Sequence, residues 1–255
     1  MSASLWLDHV AIHVPVLAAA VERLGRLGLR ATVSPAAPDR HSRVYLHRSY
    51  LEVAAVPGGV GWDAALFFLR FEDATALRAH LDGAGLAYRF AEYDGVDGTW
   101  DDVVIDAGSA GPGGTVPLPI LVRRTAPPEI ARNWPPPLGE PHRCGARTLA
   151  EVHVGVPSVE DAFEAFGRLL GLDRMPEPFA DPRSGRTRID LPLAAGSIAL
   201  LTAGAGGIER IVLDVGSLET AGSVFGERPV RQGNDPVAWL DPSGTSGLEL
   251  GFAEG

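Results

Sequence analysis

The chain has 255 residues, 45% of them hydrophobic and 21% charged, with a formal charge of -10 and a pI near 5.1. That apolar content can build the core of one large domain or two ordinary ones, and the acidic balance repels a phosphate backbone, which argues against a nucleic-acid partner. All 22 basic residues are arginine, so Schiff-base chemistry and the P-loop lysine are excluded together, and the single Cys144 excludes an internal disulfide and a Cys-based structural zinc site.

The N-terminus, MSASLWLDHVAIHV, lacks a basic region and a small-residue cleavage site. No apolar run reaches the roughly 20 residues that span a bilayer, so the reading is a cytoplasmic chain with no membrane partner. Val10, Ile12 and Val14 alternate with His9, Ala11 and His13, the period of a two-faced strand. Leu17, Ala20, Val21, Leu24 and Leu27 then follow helical spacing, and Arg30 to Val33, Arg43 to His47 and Tyr50 to Val56 read as three short strands. A weaker copy, ALFFLRFEDATALRAHLDGAG, begins near Ala65 and ends on a strand around Pro119 to Val122. The Gly-rich stretches at 108–114 and 204–207 lack nucleotide-binding spacing and read as loops.

Arg123 to Arg147 shows neither period and holds Pro127, Pro128 and Pro135 to Pro137, so it reads as the connection between two halves. LAEVHVGVPSVEDAFEAFGRLLG follows, again strand then helix, with Val152, Val154 and Val156 preceding a helix capped by Ser158. The fourth copy, IERIVLDVGSLETAGSVFG, begins near Ile208, and Pro229 to Gln232, Pro236 to Leu240 and Leu248 to Phe252 read as its strands. Aligning Pro15, Glu72, Pro157 and Gly216 makes His9, Leu66, Glu151 and Arg210 equivalent.

Four strand–helix–three-strand units, with LDHVAIHVP opening the chain and YLEVAAV closing the first unit, resemble the vicinal oxygen chelate superfamily and, within it, glyoxalase-like domain proteins. The resemblance implies an α+β fold of four βαβββ modules paired into two curved mixed sheets. It implies a first glyoxalase-like domain over residues 1–123, a Pro-rich linker over 124–147 and a second domain over 148–255. It also implies a divalent ion (zinc, nickel, manganese or iron) held by residues of first and last strands. Carried over by position, His9 and Glu52 become metal ligands, and Glu151, His153 and Glu249 become further ligands or pocket residues. Leu66 and Arg210 depart from that pattern, since they stand where ligands would be, and Arg210 replaces the His of an extradiol dioxygenase.

The expected function is metal-assisted proton abstraction, of lyase or isomerase type, on a small oxygenated molecule, with Glu52 as the catalytic base. Glu52 lies between Leu51 and Val53 in an apolar strand, which is unusual for a solvated carboxylate. His13, four residues from His9 and on the same strand face, lines or rims the pocket. Arg43 and Tyr45, with Arg123 or Arg124, are the expected binders of polar or anionic substrate groups, and Trp134 and His142 are read as a cover. The rival readings are a metal-free protein that binds a small molecule or sequesters an antibiotic and, further off, an extradiol-type dioxygenase. The expected partner is a small-molecule substrate or ligand, and a homodimer is the assembly considered.

Overall fold

The computed structural model describes residues 4–33, 39–59, 61–95, 98–106, 116–125, 141–204, 206–225, 237–240 and 248–255. Module one is β1 (Trp6–Val14), α1 (Leu17–Arg26), β2 (Thr32–Val33), β3 (His41–Tyr45) and β4 (Tyr50–Ala55). Its strands lie in the order β2-β3-β4-β1, with β1 and β4 parallel and the β2–β3 and β3–β4 pairs antiparallel. A parallel pair needs a long crossover, which α1 and the β2–β3 stretch supply. Helix α1 packs against β3 and β4. Val10, Ile12, Val14, Val44, Leu51 and Val53 all face one side of this sheet and are fully or almost fully buried, each contributing about 1.5–3 kcal/mol.

The other modules repeat the plan. Module two is β5 (Asp63–Arg70), α2 (Ala74–Gly83), β6 (Tyr88–Gly95), β7 (Gly98–Ile105) and β8 (Ile120–Thr125), in the order β6-β7-β8-β5 with β5 and β8 parallel. Module three is β9 (Ala146–Val156), α3 (Val159–Leu170), β10 (Phe179–Ala180), β11 (Thr187–Pro192) and β12 (Ser197–Thr202), in the order β10-β11-β12-β9. Module four is β13 (Gly207–Val215), α4 (Leu218–Phe225), β14 (Ala238–Trp239) and β15 (Glu249–Glu254), with β13 and β15 parallel. The strand expected at 229–232 and the residue Trp134 lie outside the described residues. The helix caps follow the residue types: Asp73 accepts from the amides of Thr75 and Ala76 at 2.8 and 3.0 Å, and Ser158 accepts from that of Asp161 at 3.1 Å, as expected of a cap.

Contacts gather Met1–Asp8, Phe67–Trp134 and His153–Gly207 into one compact unit, so modules two and three form most of it. In it Phe67 stacks on Phe166 at 6.5 Å, and the His80 ring donates to the carbonyl of Leu169 at 2.9 Å. The second unit is His9–Leu66, Pro135–Val152 and Ile208–Gly255, which joins modules one and four with the start of β9 and the segment that leads into it. Just past the end of its helix α1 stands Gly28, whose φ of +72° suits glycine and where a Cβ would come within 2.6 Å of Val224 and 2.8 Å of the Cys144 amide. The first expected strand after α1 shrinks from Arg30–Val33 to Thr32–Val33, because the Arg30 amide bonds to His142. Among the described residues no helix is long and apolar enough to cross a membrane.

Candidate active site

The second face of the module-one sheet carries the polar residues, and its register arranges them in three rows. His9, Tyr50 and Tyr45 are cross-strand partners in the first row, Ala11, Glu52 and Arg43 in the second, and His13, Ala54 and His41 in the third. Strand alternation alone puts all nine on one side. Ala11 and Ala54 flank Glu52, so the carboxylate rises beside two methyl groups instead of bulky neighbours.

Glu52 is the centre of the constellation. His41 donates its Nε2–H to Oε1 at 2.7 Å, and Nε2 of His9 stands 3.8 Å from Oε2. The His9 ring is itself held, stacked on Tyr50 at 4.3 Å with an interplanar angle of 12°. Arg43 lies over the other side of the row, its guanidinium 5.6 Å from the Tyr50 centroid and its Nη1 donating to the Tyr45 hydroxyl at 3.5 Å. Burial works to raise the Glu52 pKa, but the His41 hydrogen bond with the charges of His9, His41 and Arg43 outweighs it and holds the carboxyl below 4.5. Glu52 keeps 26% of its side chain open while His9 keeps 5%, so a ligand would meet the carboxylate before the imidazole.

Two imidazoles and a carboxylate are donors of the kind a zinc, nickel, manganese or iron ion takes. Among the described residues, however, no group of three His, Cys, Asp or Glu side chains is arranged to hold a metal ion. Oε1 of Glu52 is already in the His41 hydrogen bond, and the counterparts of the Ala11–Glu52 pair in modules two and four are apolar. The pair Ala11–Glu52 of module one becomes Phe68–Ile120 in module two and Val212–Gly251 in module four. The pair His9–Tyr50 becomes Arg210–Glu249.

Module four fills its version of this face. Arg210 donates its Nε–H to Glu249 at 3.2 Å, and its guanidinium lies 5.4 Å from the Trp239 centroid. Val212, Val237 and Trp239 form a buried apolar cluster with Ala150 and Ala253 against it. Gly251 is required there, because a Cβ would meet Val237 at 2.6 Å and Trp239 at 2.8 Å.

Of the expected site residues, the structure brings His9, Glu52, Arg43 and Tyr45 together and places half-buried His13 at the end of the same face. Glu249 is drawn to Arg210 and occupies the register position of Tyr50, not that of Glu52. Glu151 is half-buried on β9, and His153 on the same strand is fully buried. Arg123 forms an ion pair with Asp101, and Arg124 lies over the Trp100 ring at 5.0 Å. His142 is an internal residue, 3% exposed, with Nδ1 accepting from the Arg30 amide and Nε2 donating to the Tyr45 carbonyl. The residue that the sequence reading missed is His41. Its signal is present in the sequence, since His41, Arg43 and Tyr45 alternate, but the strand expected there begins at Arg43.

A family model described as a glyoxalase-like domain matches residues 7–170. No curated protein sequence matches the chain. Among solved structures, the 2,3-dioxygenase LapB from Pseudomonas sp. KL28 is similar at 16% identity with a TM-score of 0.66, covering 100% of this chain and 93% of that one. A hypothetical protein from Staphylococcus aureus is similar at 10% identity and a TM-score of 0.61, covering 98% and 99%. Homoprotocatechuate 2,3-dioxygenase from Arthrobacter globiformis is similar at 16% identity and 0.63, covering 98% and 80%. At these identities the likeness concerns the fold.

Proposed function

The chain belongs to the glyoxalase-like domain family, and from that premise we propose that the polar face of module one binds a small oxygenated molecule and takes a proton from the carbon next to its carbonyl. The observation that carries this reading is the Glu52 carboxylate, its pKa held low by His41, His9 and Arg43 while a quarter of its side chain stays open. In this scheme Oε1 is held by His41, and Oε2 accepts the substrate proton. The C–H electron pair moves into the carbonyl to give an enolate, whose oxygen falls to the guanidinium of Arg43 and the hydroxyl of Tyr45. His9, stacked on Tyr50, steadies the negative charge of Glu52 before the transfer, and the proton that Oε2 has taken leaves to solvent through the open side of the carboxyl group. The charge balance favours a ligand that is neutral or anionic over a cationic one.

The divalent ion that the resemblance implies would find its nearest donors in His9, Glu52 and His41, but one carboxylate oxygen is engaged in the His41 hydrogen bond and, among the described residues, the three are not arranged to hold an ion; Glu52 itself carries the proton transfer. The test is exchange of the carbon-bound proton into deuterated water, followed by NMR over a panel of small hydroxy-ketones and 2-oxo acids. Exchange should occur with the native protein and fall by about 10²–10⁴-fold in Glu52→Gln. Elemental analysis belongs beside it: one equivalent of divalent metal that disappears in His9→Ala would replace this reading with a metal-assisted one.

A second reading is a binding protein without turnover, and the filled face of module four favours it, because that half of the second unit has given its ligand positions to an ion pair and an apolar cluster. It predicts a compound that binds at module one with equal affinity in Glu52→Gln and exchanges no proton.

A further inference from the structure

The first residues of β9, with the segment that leads into them, are tied to β3 and the turn between β3 and β4 by a set of hydrogen bonds. The His47 amide donates to the Arg147 carbonyl at 2.6 Å, the Leu149 amide donates to the Ser49 hydroxyl at 2.9 Å, and the hydroxyls of Ser49 and Thr148 stand 3.3 Å apart. The first tie is His142. Its Nδ1 accepts from the Arg30 amide at 2.9 Å and its Nε2 faces the Tyr45 carbonyl at 2.7 Å. A carbonyl can only accept and an amide N–H can only donate, so both contacts are satisfied by one species, the neutral ring with its hydrogen on Nε2. Tyr45 is the last residue of β3 and stands in the same row as Tyr50 and His9.

We propose that His142 is a positioning residue for the module-one face, a neutral imidazole that pins the Tyr45 end of β3 and releases the Arg30 side of that clamp when it takes a proton. A proton on Nδ1 would set two donors, the ring N–H and the Arg30 amide, against each other inside the protein, and that contact cannot survive it. Burial holds the His142 pKa below 6.5, with the Tyr45 carbonyl pulling the other way and the positive charge of Arg30 adding to the fall. Arg30 is the charged group that bears on the ring from module one, and neighbouring Cys144 is a buried thiol whose own pKa is pushed up, so it adds no negative charge near neutrality. Between 6.5 and the lower folded value, the unfolded chain binds a proton that the native ring refuses, and stability therefore falls as pH drops through that window. The positioning role rests on the reading of module one as the ligand site, whereas the clamp does not.

The experiment is an imidazole ¹⁵N spectrum of the full chain with amide exchange of Arg30, followed from pH 7.5 downward. Near neutrality the spectrum should give a neutral ring protonated on Nε2 and a protected Arg30 amide. When His142 protonates, the Arg30 protection factor should drop by about tenfold or more, and the Tyr45 resonances should shift in the same step while far-UV circular dichroism holds. In His142→Asn, whose side-chain oxygen can accept from the Arg30 amide and does not titrate, the step should vanish. If that variant fails to fold, the native titration decides alone. A ring protonated on Nδ1 near neutrality, an Arg30 amide that stays protected through His142 protonation, or a Tyr45 signal that ignores it would each overturn the proposal. None of these readouts uses a ligand, so the proton-exchange assay can fail without altering them.

Discussion

Modules one and four share a plan and a register, yet the same face of their sheets is used in opposite ways. In module one the positions opposite each other on β1 and β4 hold His9 with Tyr50 and Ala11 with Glu52, and the small Ala11 leaves the carboxylate accessible. In module four the matching pairs are Arg210 with Glu249 and Val212 with Gly251, and Trp239 closes over the glycine. On the proposed function, a duplicated module here trades reactivity for packing. Removing one carboxylate side chain makes room for an indole, and turning an imidazole into a guanidinium converts an acid–base group into a permanently charged partner for the neighbouring glutamate.

If that contrast is right, stability should be concentrated in module four. Trp239→Ala empties the middle of the apolar cluster and should cost about 3–5 kcal/mol in chemical denaturation; a loss under 1 kcal/mol would show that the cluster is incidental. Glu249→Ala leaves the buried Arg210 guanidinium without this carboxylate and should cost about 3 kcal/mol, with Glu249→Gln milder. Gly251→Ala forces a methyl group against Val237 and Trp239 and should cost about 1–3 kcal/mol.

Module one should behave the other way. Glu52→Gln should change stability at pH 7 by about 1 kcal/mol or less, a single hydrogen bond's worth, while removing the activity. Because the Glu52 carboxyl is held below 4.5, its stabilisation is complete above that value and is lost as pH falls through the lower folded value, so the variant should show a flatter acid limb. His41→Ala removes the hydrogen bond but leaves the burial, and the Glu52 pKa should move upward in a carboxylate ¹³C titration. No movement would mean that His9 and Arg43 suffice.

Much of the fold could be read in the sequence because it depends on short-range periods. The alternation of Val10, Ile12 and Val14 and the spacing of the first and third helices repeat closely enough to show the fourfold plan, and Ser158 marks its helix start by chemistry alone. His9 and Glu52 could be proposed by alignment of the modules. His41 required knowing that β3 begins two residues earlier and that its register sets it beside Ala54, close enough to reach Glu52. The plug in module four was hidden for a related reason: Gly251 reads as a weak strand residue until the Trp239 ring is seen against it. His142 stands in a Pro-rich stretch without periodicity, and its two hydrogen bonds join it to residues 112 and 97 positions away, a separation no local pattern encodes.

The central claim is that ligand chemistry resides on module one alone. Backbone chemical-shift mapping with the small hydroxy-ketones and 2-oxo acids that exchange protons tests it most directly. The perturbations should gather at His9, His41, Arg43, Tyr45 and Glu52 and disappear for Arg43→Ala. A compound that shifts Arg210, Trp239 and Glu249 and leaves the module-one signals in place would contradict it.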